Sequence, residues 1–295
     1  DGIPCVFISG QNKLAETSNF SGIPIRTYGQ QEANLIPIVK SISKYSTMIT
    51  DANQIAYELG KALYLAQNGR KGPVWIDIPL DIQNKRINIE DLKHFQIPKQ
   101  SVPKISRKET TFVVDSLNKS KRPIILIGSG VRSSGAISEL NTFIKKINIP
   151  VAFANSAPDI YGNDNPLSIG SVGIMGSTRA GNFAVQNSDL LLVIGCRLTT
   201  MTTGEDSSKF VREAKVIVVD IDPVEHSKDG IQIDRLIVSD IKLFLLSLMK
   251  NDIKKTKKTW QDKCLHWKKV FPRCEQNYKK SKEIDLYHLA ESLSE

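Results

Sequence analysis

Apolar positions alternate between two periods along this chain. Ile3-Pro4-Cys5-Val6-Phe7-Ile8 is a short apolar run ending near Gly10, and it predicts a strand over residues 3–8. A polar, glycine-containing stretch follows to Gly29. Leu35, Ile38, Val39 and Ile42 then recur at helical spacing, predicting an irregular helix within 31–44, since Pro37 falls inside it. Asp51 is a candidate N-cap for a helix over 52–67, whose apolar face is Ile55, Leu59, Ala62, Leu63 and Ala66 and whose stop is Gly69. A continuous apolar strand follows at 73–79. Helices that alternate with wholly apolar strands are the pattern of a parallel sheet covered on its faces.

From Gln83 to about Lys104 the periodicity dissolves, and Pro98 and Pro103 punctuate a polar run that reads as a linker, 83–105. A second α/β series begins beyond it. Helices are predicted at 107–118, 134–147 and 240–249. Strands are predicted at 123–127, 151–153, 189–194, 215–219 and 235–238. The fold class is therefore α/β, with two parallel-sheet units, the second an open, roughly six-stranded Rossmann-like (DHS-like) nucleotide-binding domain. The expected domains are 1–82, a linker 83–105, a central domain 106–250 and a basic connector 251–295.

Composition changes this picture little. The 295 residues are 40% hydrophobic and 24% charged, and no apolar run is long enough for a membrane span of about 20 residues. The start, Asp1 running into a strand, does not read as a signal peptide and suggests a chain entering in mid-sheet. Cys5, Cys196, Cys264 and Cys274 form no Cys-x-x-Cys pair and have no histidine at metal spacing, which favours free thiols in a reducing cytoplasm. Cys5 and Cys196 lie in apolar strands, whereas Cys264 and Cys274 flank a lysine-rich stretch and are candidates for exposure. Net charge is +9, with twelve Lys or Arg between Lys250 and Lys282. No DNA or RNA motif accompanies that charge, so a solvated linker helix is the expectation, with Trp260 and Trp267 on one face.

Candidate chemistry clusters at strand ends. Gly128-Ser129-Gly130 follows a strand and precedes a helix, where glycines let a backbone approach phosphate, although Ser133 stands where the third glycine of a dinucleotide fingerprint would be. Val218-Val219-Asp220-Ile221-Asp222 puts acids where a ribose is read, Asp240 ends another strand, and Arg197 ends a third. Asp222 and Asp240 would equally serve as helix caps. His94, His226, His266 and His288 are scattered and read as surface or linker residues. Asp77 and Asp81 flank Pro79 as a structural turn. No nucleophile–base arrangement is evident.

Two phrases carry a resemblance. Gly69-Arg70-Lys71-Gly72-Pro73-Val74-Trp75-Ile76-Asp77-Ile78-Pro79-Leu80-Asp81 is one. The other is Gly173-Ile174-Met175-Gly176, with Asn182-Phe183-Ala184 and then Ser188 through Arg197. In this order they resemble the acetolactate-synthase branch of the thiamine-diphosphate-dependent enzymes. The resemblance implies that 1–82 is the later part of a pyrimidine-binding domain, that 106–250 is the central domain, and that 251–295 leads toward a diphosphate-binding domain. It implies decarboxylation of a small 2-oxo acid and transfer of the remaining fragment to a carbonyl acceptor, with thiamine diphosphate and Mg in the complete enzyme. It further implies that the activating carboxylate lies upstream and the Gly-Asp-Gly segment downstream, leaving no catalytic acid or base in this chain.

Gln31-Glu32 resembles the branch's active-site loop, with Gln31 near the thiamine of a neighbouring subunit, which implies a homodimer or homotetramer. FAD, where bound, would touch Gly128, Met175, Gly176, Gly195, Arg197, Asp220, Ile221, Asp240 and Ile241. The sequence departs from the branch at Gln30, at Ser177-Thr178, and at Leu198-Thr199-Thr200-Met201. A related carboligase or decarboxylase, with FAD, ADP or nothing in the central domain, stays open. So does a non-catalytic Rossmann-like nucleotide-binding module, which would not need residues 1–82.

Overall fold

The computed structural model describes residues 2–99 and 102–294. Asp1, Glu295, and Gln100 and Ser101 of the expected linker lie outside the described residues. The chain divides into two compact units, 1–101 and 102–295.

The first unit is built on a parallel three-stranded sheet of order β1-β3-β2. Its strands are β1 (Val6–Gln11), β2 (Tyr45–Met48) and β3 (Val74–Pro79). Helix α1 (Leu35–Lys40) is shorter than the predicted 31–44. It starts where Pro37 falls in its first turn, a place where the missing amide hydrogen costs nothing. Helix α2 (Ile55–Gln67) packs Ala62 and Ala66 against Val74 and Ile76 of β3. Asp51 caps as predicted, but on a 3-10 turn, Ala52–Gln54, that leads into α2; its side chain accepts from the Asn53 amide. Strand β1 lies three residues later than predicted, because its pairing with β3 runs from Val6↔Val74 to Gln11↔Pro79.

The second unit holds six parallel strands. They are β4 (Pro123–Ile127), β5 (Val151–Ala154), β6 (Ser168–Val172), β7 (Leu190–Ile194), β8 (Lys215–Asp220) and β9 (Arg235–Val238), in the order β6-β5-β4-β7-β8-β9. Relabelled from its own first strand this is 3-2-1-4-5-6, the doubly wound order, and the winding reverses between β4 and β7. Side-chain alternation splits each central strand between two cores. Ile125, Ile127, Leu192, Ile194, Ile217 and Val219 face α3 (Arg107–Lys119) and α4 (Ile137–Ile147). Ile124, Leu126, Leu191, Val193, Val216 and Val218 face the opposite layer, which includes α5 (Arg179–Gln186). Helix α6 (Ile241–Met249) closes the first layer with Phe244, Leu245 and Leu248. Ser106 and Glu109 form a reciprocal capping box at the start of α3.

The basic stretch departs from the solvated helix expected there. Helix α7 (Lys258–Val270) buries Trp260 and Cys264 in the same core as Ala180 and Ala184 of α5. The Trp260 indole N–H donates to the Pro123 carbonyl at 3.0 Å. Cys264 and Cys274 are buried, not exposed; Cys264 lies on the apolar face that α7 turns to the sheet core. A last helix, α8 (Leu286–Ser294), follows. No helix among the described residues is long and apolar enough to cross a membrane.

Candidate functional site

In the first unit the polar residues converge at the carboxyl ends of β1 and β3, the edge of a parallel sheet where ligands bind. Asp77, in the middle strand, is only 1% exposed. It accepts from Ser9 Oγ at 2.6 Å and from Gln11 Nε2 at 3.2 Å. Trp75 Nε1 donates to the same Ser9 oxygen at 2.8 Å. Burial pushes the Asp77 carboxyl above its usual range, against the opposing pull of Ser9 and Gln11. The sequence read this residue as part of a turn; its pairing with Ser9 of the neighbouring strand, 68 positions away, is invisible to local pattern.

Gln11 carries the network outward, since its Nε2 also donates to the Ala33 carbonyl at 2.7 Å. Asn12 Nδ2 holds the Gln30 carbonyl at 2.9 Å. Between these two anchors lies Gln31, exposed and at φ 65°, a left-handed conformation that a glutamine adopts only when its surroundings fix it. Glu32, next to it, is buried and accepts at 2.6 Å from the Ser18 amide, the Ser18 hydroxyl and the Tyr28 amide. Desolvation acts to raise its pKa, but the Ser18 hydroxyl and the Tyr28 and Ser18 amides prevail and hold it low, so Glu32 stays a carboxylate. Gln31 is thus presented and Glu32 is the brace.

In the second unit the crevice lies outside the ends of β4 and β7, where the winding reverses. Gly128 and Gly195 meet there. A Cβ on Gly128 would stand 2.2 Å from the Gly195 carbonyl oxygen, and Gly195 sits at φ 58° against Gly130 and Ile241. The amides of Gly128 and Gly130 already donate to the carbonyls of Ile194 and Gly195, each at 3.0 Å. The helical turn that follows, Gly130–Ser133, is only four residues long. These glycines therefore serve the packing of backbone on backbone, and the phosphate cradle expected at Gly128-Ser129-Gly130 is already filled by the chain itself.

Other predicted residues line the same sheet edge. Asn182 explains the spacing of the Gly173…Asn182 phrase: its amide accepts from the Gly173 N–H at 3.1 Å and donates to the Gly173 carbonyl at 3.0 Å. The loop so fixed leaves Met175 65% exposed, beside exposed Ile174 and Met201, while Gly176 turns at φ 61°. Arg197 Nε lies 3.0 Å from Glu225, and its carbonyl accepts from Lys228 at 2.8 Å. Asp220 accepts from the Asp222 amide at 3.0 Å and lies 3.2 Å from His226 Nε2. That His226 side chain is 1% exposed, so it is not the surface residue expected; the 3-10 turn Val224–His226 folds it back onto its own strand end. Asp240 caps α6, accepting from the Leu243 amide at 2.9 Å, and Ile241 beside it is buried. Asp222 accepts from the Val224 amide at 3.0 Å. Ile221 follows Asp220 at the end of β8.

The edge therefore offers an apolar wall (Ile174, Met175, Met201), a half-exposed arginine, and carboxylates that already have protein partners. No group of three or more His, Cys, Asp or Glu among the described residues is placed to hold a metal ion.

Residues 110–248 match the model of the thiamine pyrophosphate enzyme central domain. A probable acetolactate synthase large subunit of Methanocaldococcus jannaschii is 33% identical over 284 residues, 92% of this chain and 45% of the relative. The acetolactate synthase large subunit of Cyanidium caldarium is 33% identical over 284 residues, covering 92% and 47%. Acetolactate synthase 1 of Zea mays is 31% identical over 297 residues, covering 96% and 43%. The chain spans less than half the length of these relatives. The central-domain match, the doubly wound second unit and relatives that align through both units place this chain among the thiamine-diphosphate-dependent enzymes, in their acetolactate-synthase-like group.

Proposed function

We propose that this chain forms part of an enzyme that decarboxylates a small 2-oxo acid and joins the remaining fragment to a carbonyl acceptor. The observation that carries this is the reach of the similarity. It runs over 92% of the chain, through both units, whereas a free-standing nucleotide-binding module would need only the second. Thiamine diphosphate, when bound, supplies the carbanion chemistry. The residues of this chain bind and orient. Gln31 is held out by the Gln11, Asn12 and Glu32 anchors at the sheet edge, as a residue facing a neighbouring subunit would be, which supports a homodimer or homotetramer. We assign the diphosphate and its magnesium to residues other than those of this chain. The four free cysteines fit a reducing cytoplasm.

The crevice of the second unit fits a flavin in part. Ile174, Met175 and Met201 offer an apolar face for a flat ring, and Arg197 offers a phosphate partner. Gly128 and Gly195 keep the backbone low at the switch point. Asp220 and Asp240 are already engaged, so we assign them to the shape of the crevice, with Ile221 and Ile241 beside them, and we assign FAD recognition to the ring wall and Arg197. ADP would use the arginine alone. The absorbance of the purified chain from 300 to 550 nm, after incubation with FAD and desalting, tests this. Flavin retained near one per chain and lost in Arg197→Ala is expected. No retained flavin would overturn the assignment of the crevice. The catalytic reading is tested separately, by thiamine-diphosphate-dependent release of carbon dioxide from a panel of 2-oxo acids by the enzyme that contains this segment. Turnover should fall in Gln31→Ala.

A further inference from the structure

The opposite, amino-terminal edge of the six-stranded sheet carries a second groove, of about 630 Å³. It lies between the segments that lead into β4 and β7 and the first three turns of α7. Lys121, Arg122, Lys257 and Lys263 line it together with the Trp267 ring and one acid, Glu213. None of the four cations forms an ion pair among the described residues. Arg122 is oriented, since its Nε donates to the Asn187 carbonyl at 2.7 Å. Asp189, a half-buried carboxylate beside them, is consumed by the Ser120 hydroxyl and the Lys121 and Arg122 amides. Those bonds fix the backbone under the two basic side chains. The amino end of α7, a 13-residue helix, adds a partial positive charge at Lys257.

We propose that this groove binds a small molecule bearing a polyphosphate chain. Four like charges around one concavity repel one another, and a dianion or a more highly charged ligand relieves this where scattered chloride would not. Arginine suits phosphate through its planar fork and lysine as a movable point charge. The volume falls in the range of about 300–1,000 Å³ typical of small-ligand clefts, so a compact polyanion fits better than a long nucleic-acid strand. Trp267 supplies a ring at the wall, with Lys263 Nζ 5.5 Å from its centroid. The groove is remote from the switch-point crevice, at the other ends of the same strands, and does not depend on the catalytic reading.

The test is calorimetric titration of the purified chain with inorganic triphosphate and with ATP, at low and at high salt. Binding that weakens as salt rises is expected, because the cations are exposed. The double variant Lys257→Ala/Lys263→Ala removes two side chains that make no ion pair, so the fold should survive, and affinity should fall at least tenfold. Lys145→Ala, exposed on α4, removes a charge elsewhere and should leave affinity unchanged. Tighter binding of ATP that drops to the triphosphate level in Trp267→Leu would identify a nucleotide stacked on the ring. Equal affinity for both would identify the polyphosphate as the recognised part. No measurable binding of either, or the same weakening in Lys145→Ala as in the double variant, would overturn the proposal.

Discussion

Replacing Trp260 with alanine should unfold the second unit far more readily. Trp260 is 5% exposed, packs edge-to-face on Trp267 at 5.8 Å, and hydrogen-bonds the Pro123 carbonyl at the start of β4. A buried tryptophan removes about 150–250 Å² from water. At about 25 cal/mol per Å² this is about 4–6 kcal/mol, an upper bound because the unfolded chain already hides some of that area. The alanine retains a small part, and comparable truncations lose about 3–5 kcal/mol. Trp260→Phe keeps most of the ring and strands the buried Pro123 carbonyl, so it should lose about 1–3 kcal/mol. Native-state hydrogen exchange at Ile124–Ile127 and Leu190–Ile194 reads the loss where it should occur, with urea unfolding as a second measure. A change below about 1 kcal/mol in Trp260→Ala would mean that α7 is a solvated connector after all, and would refute its place in the core.

Asp77 should make the first unit weaker as pH rises. Its folded pKa lies above the unfolded value of about 3.9, so below both the group contributes nothing. As pH climbs from that unfolded value through the folded one, the unfolded chain gives up its proton first and stability falls. Asp77→Asn should abolish this slope in urea unfolding followed from pH 3.5 to 7; an unchanged slope would acquit Asp77. In Gly128→Ala the new methyl meets the Gly195 carbonyl at 2.2 Å, a backbone contact that cannot swing away, so a loss of about 1–3 kcal/mol in chemical denaturation is expected. Asn182→Ala removes both hydrogen bonds to Gly173 and should cost about 1–3 kcal/mol while speeding exchange across 173–176; exchange like that of the native chain would remove Asn182 as the clamp.

Much of the fold could be read from periodicity because its strands are buried on both faces. Ile124–Ile127 and Leu190–Ile194 are unbroken apolar runs, and such runs have few alternatives between helical stretches. The two strands that were missed lack that signature. Tyr45–Met48 is a four-residue edge strand, half-buried throughout. Ser168-Ile169-Gly170-Ser171-Val172 is fully buried but polar in composition. Its cover comes from α5, α7 and the loop after the strand: Ser171 Oγ donates to the Gly176 carbonyl at 2.9 Å and the Ser168 backbone carbonyl accepts from Lys268 at 2.9 Å, while the Ser168 hydroxyl is buried with no hydrogen-bond partner among the described residues. Cover by a segment 100 residues away leaves no trace in the local pattern.

The sites were less legible, for a related reason. A strand-end acid reads the same in sequence whether it awaits a ligand or serves the chain. Asp240 has a free amide three residues on and becomes a cap, as acids at such positions do. Asp220 has a histidine six residues on, and a 3-10 turn brings the two to 3.2 Å. Gly128 looks like a phosphate loop until Gly195, 67 positions later and just past the end of β7, is seen to occupy the space that the missing Cβ leaves. In each case the decision lies in a partner that the fold delivers, so strand-end chemistry in a doubly wound sheet can be located from sequence but not assigned. The Gln31 loop follows the same logic in reverse. Nothing in Gln30-Gln31-Glu32 marks it as rigid, yet Gln11, Asn12 and Ser18 grip it on both sides and hold Gln31 at a positive φ. A residue that stays exposed and strained while its surroundings hold it marks a place where strain is kept for a use, and this makes Gln31, rather than the acids, the first residue to mutate.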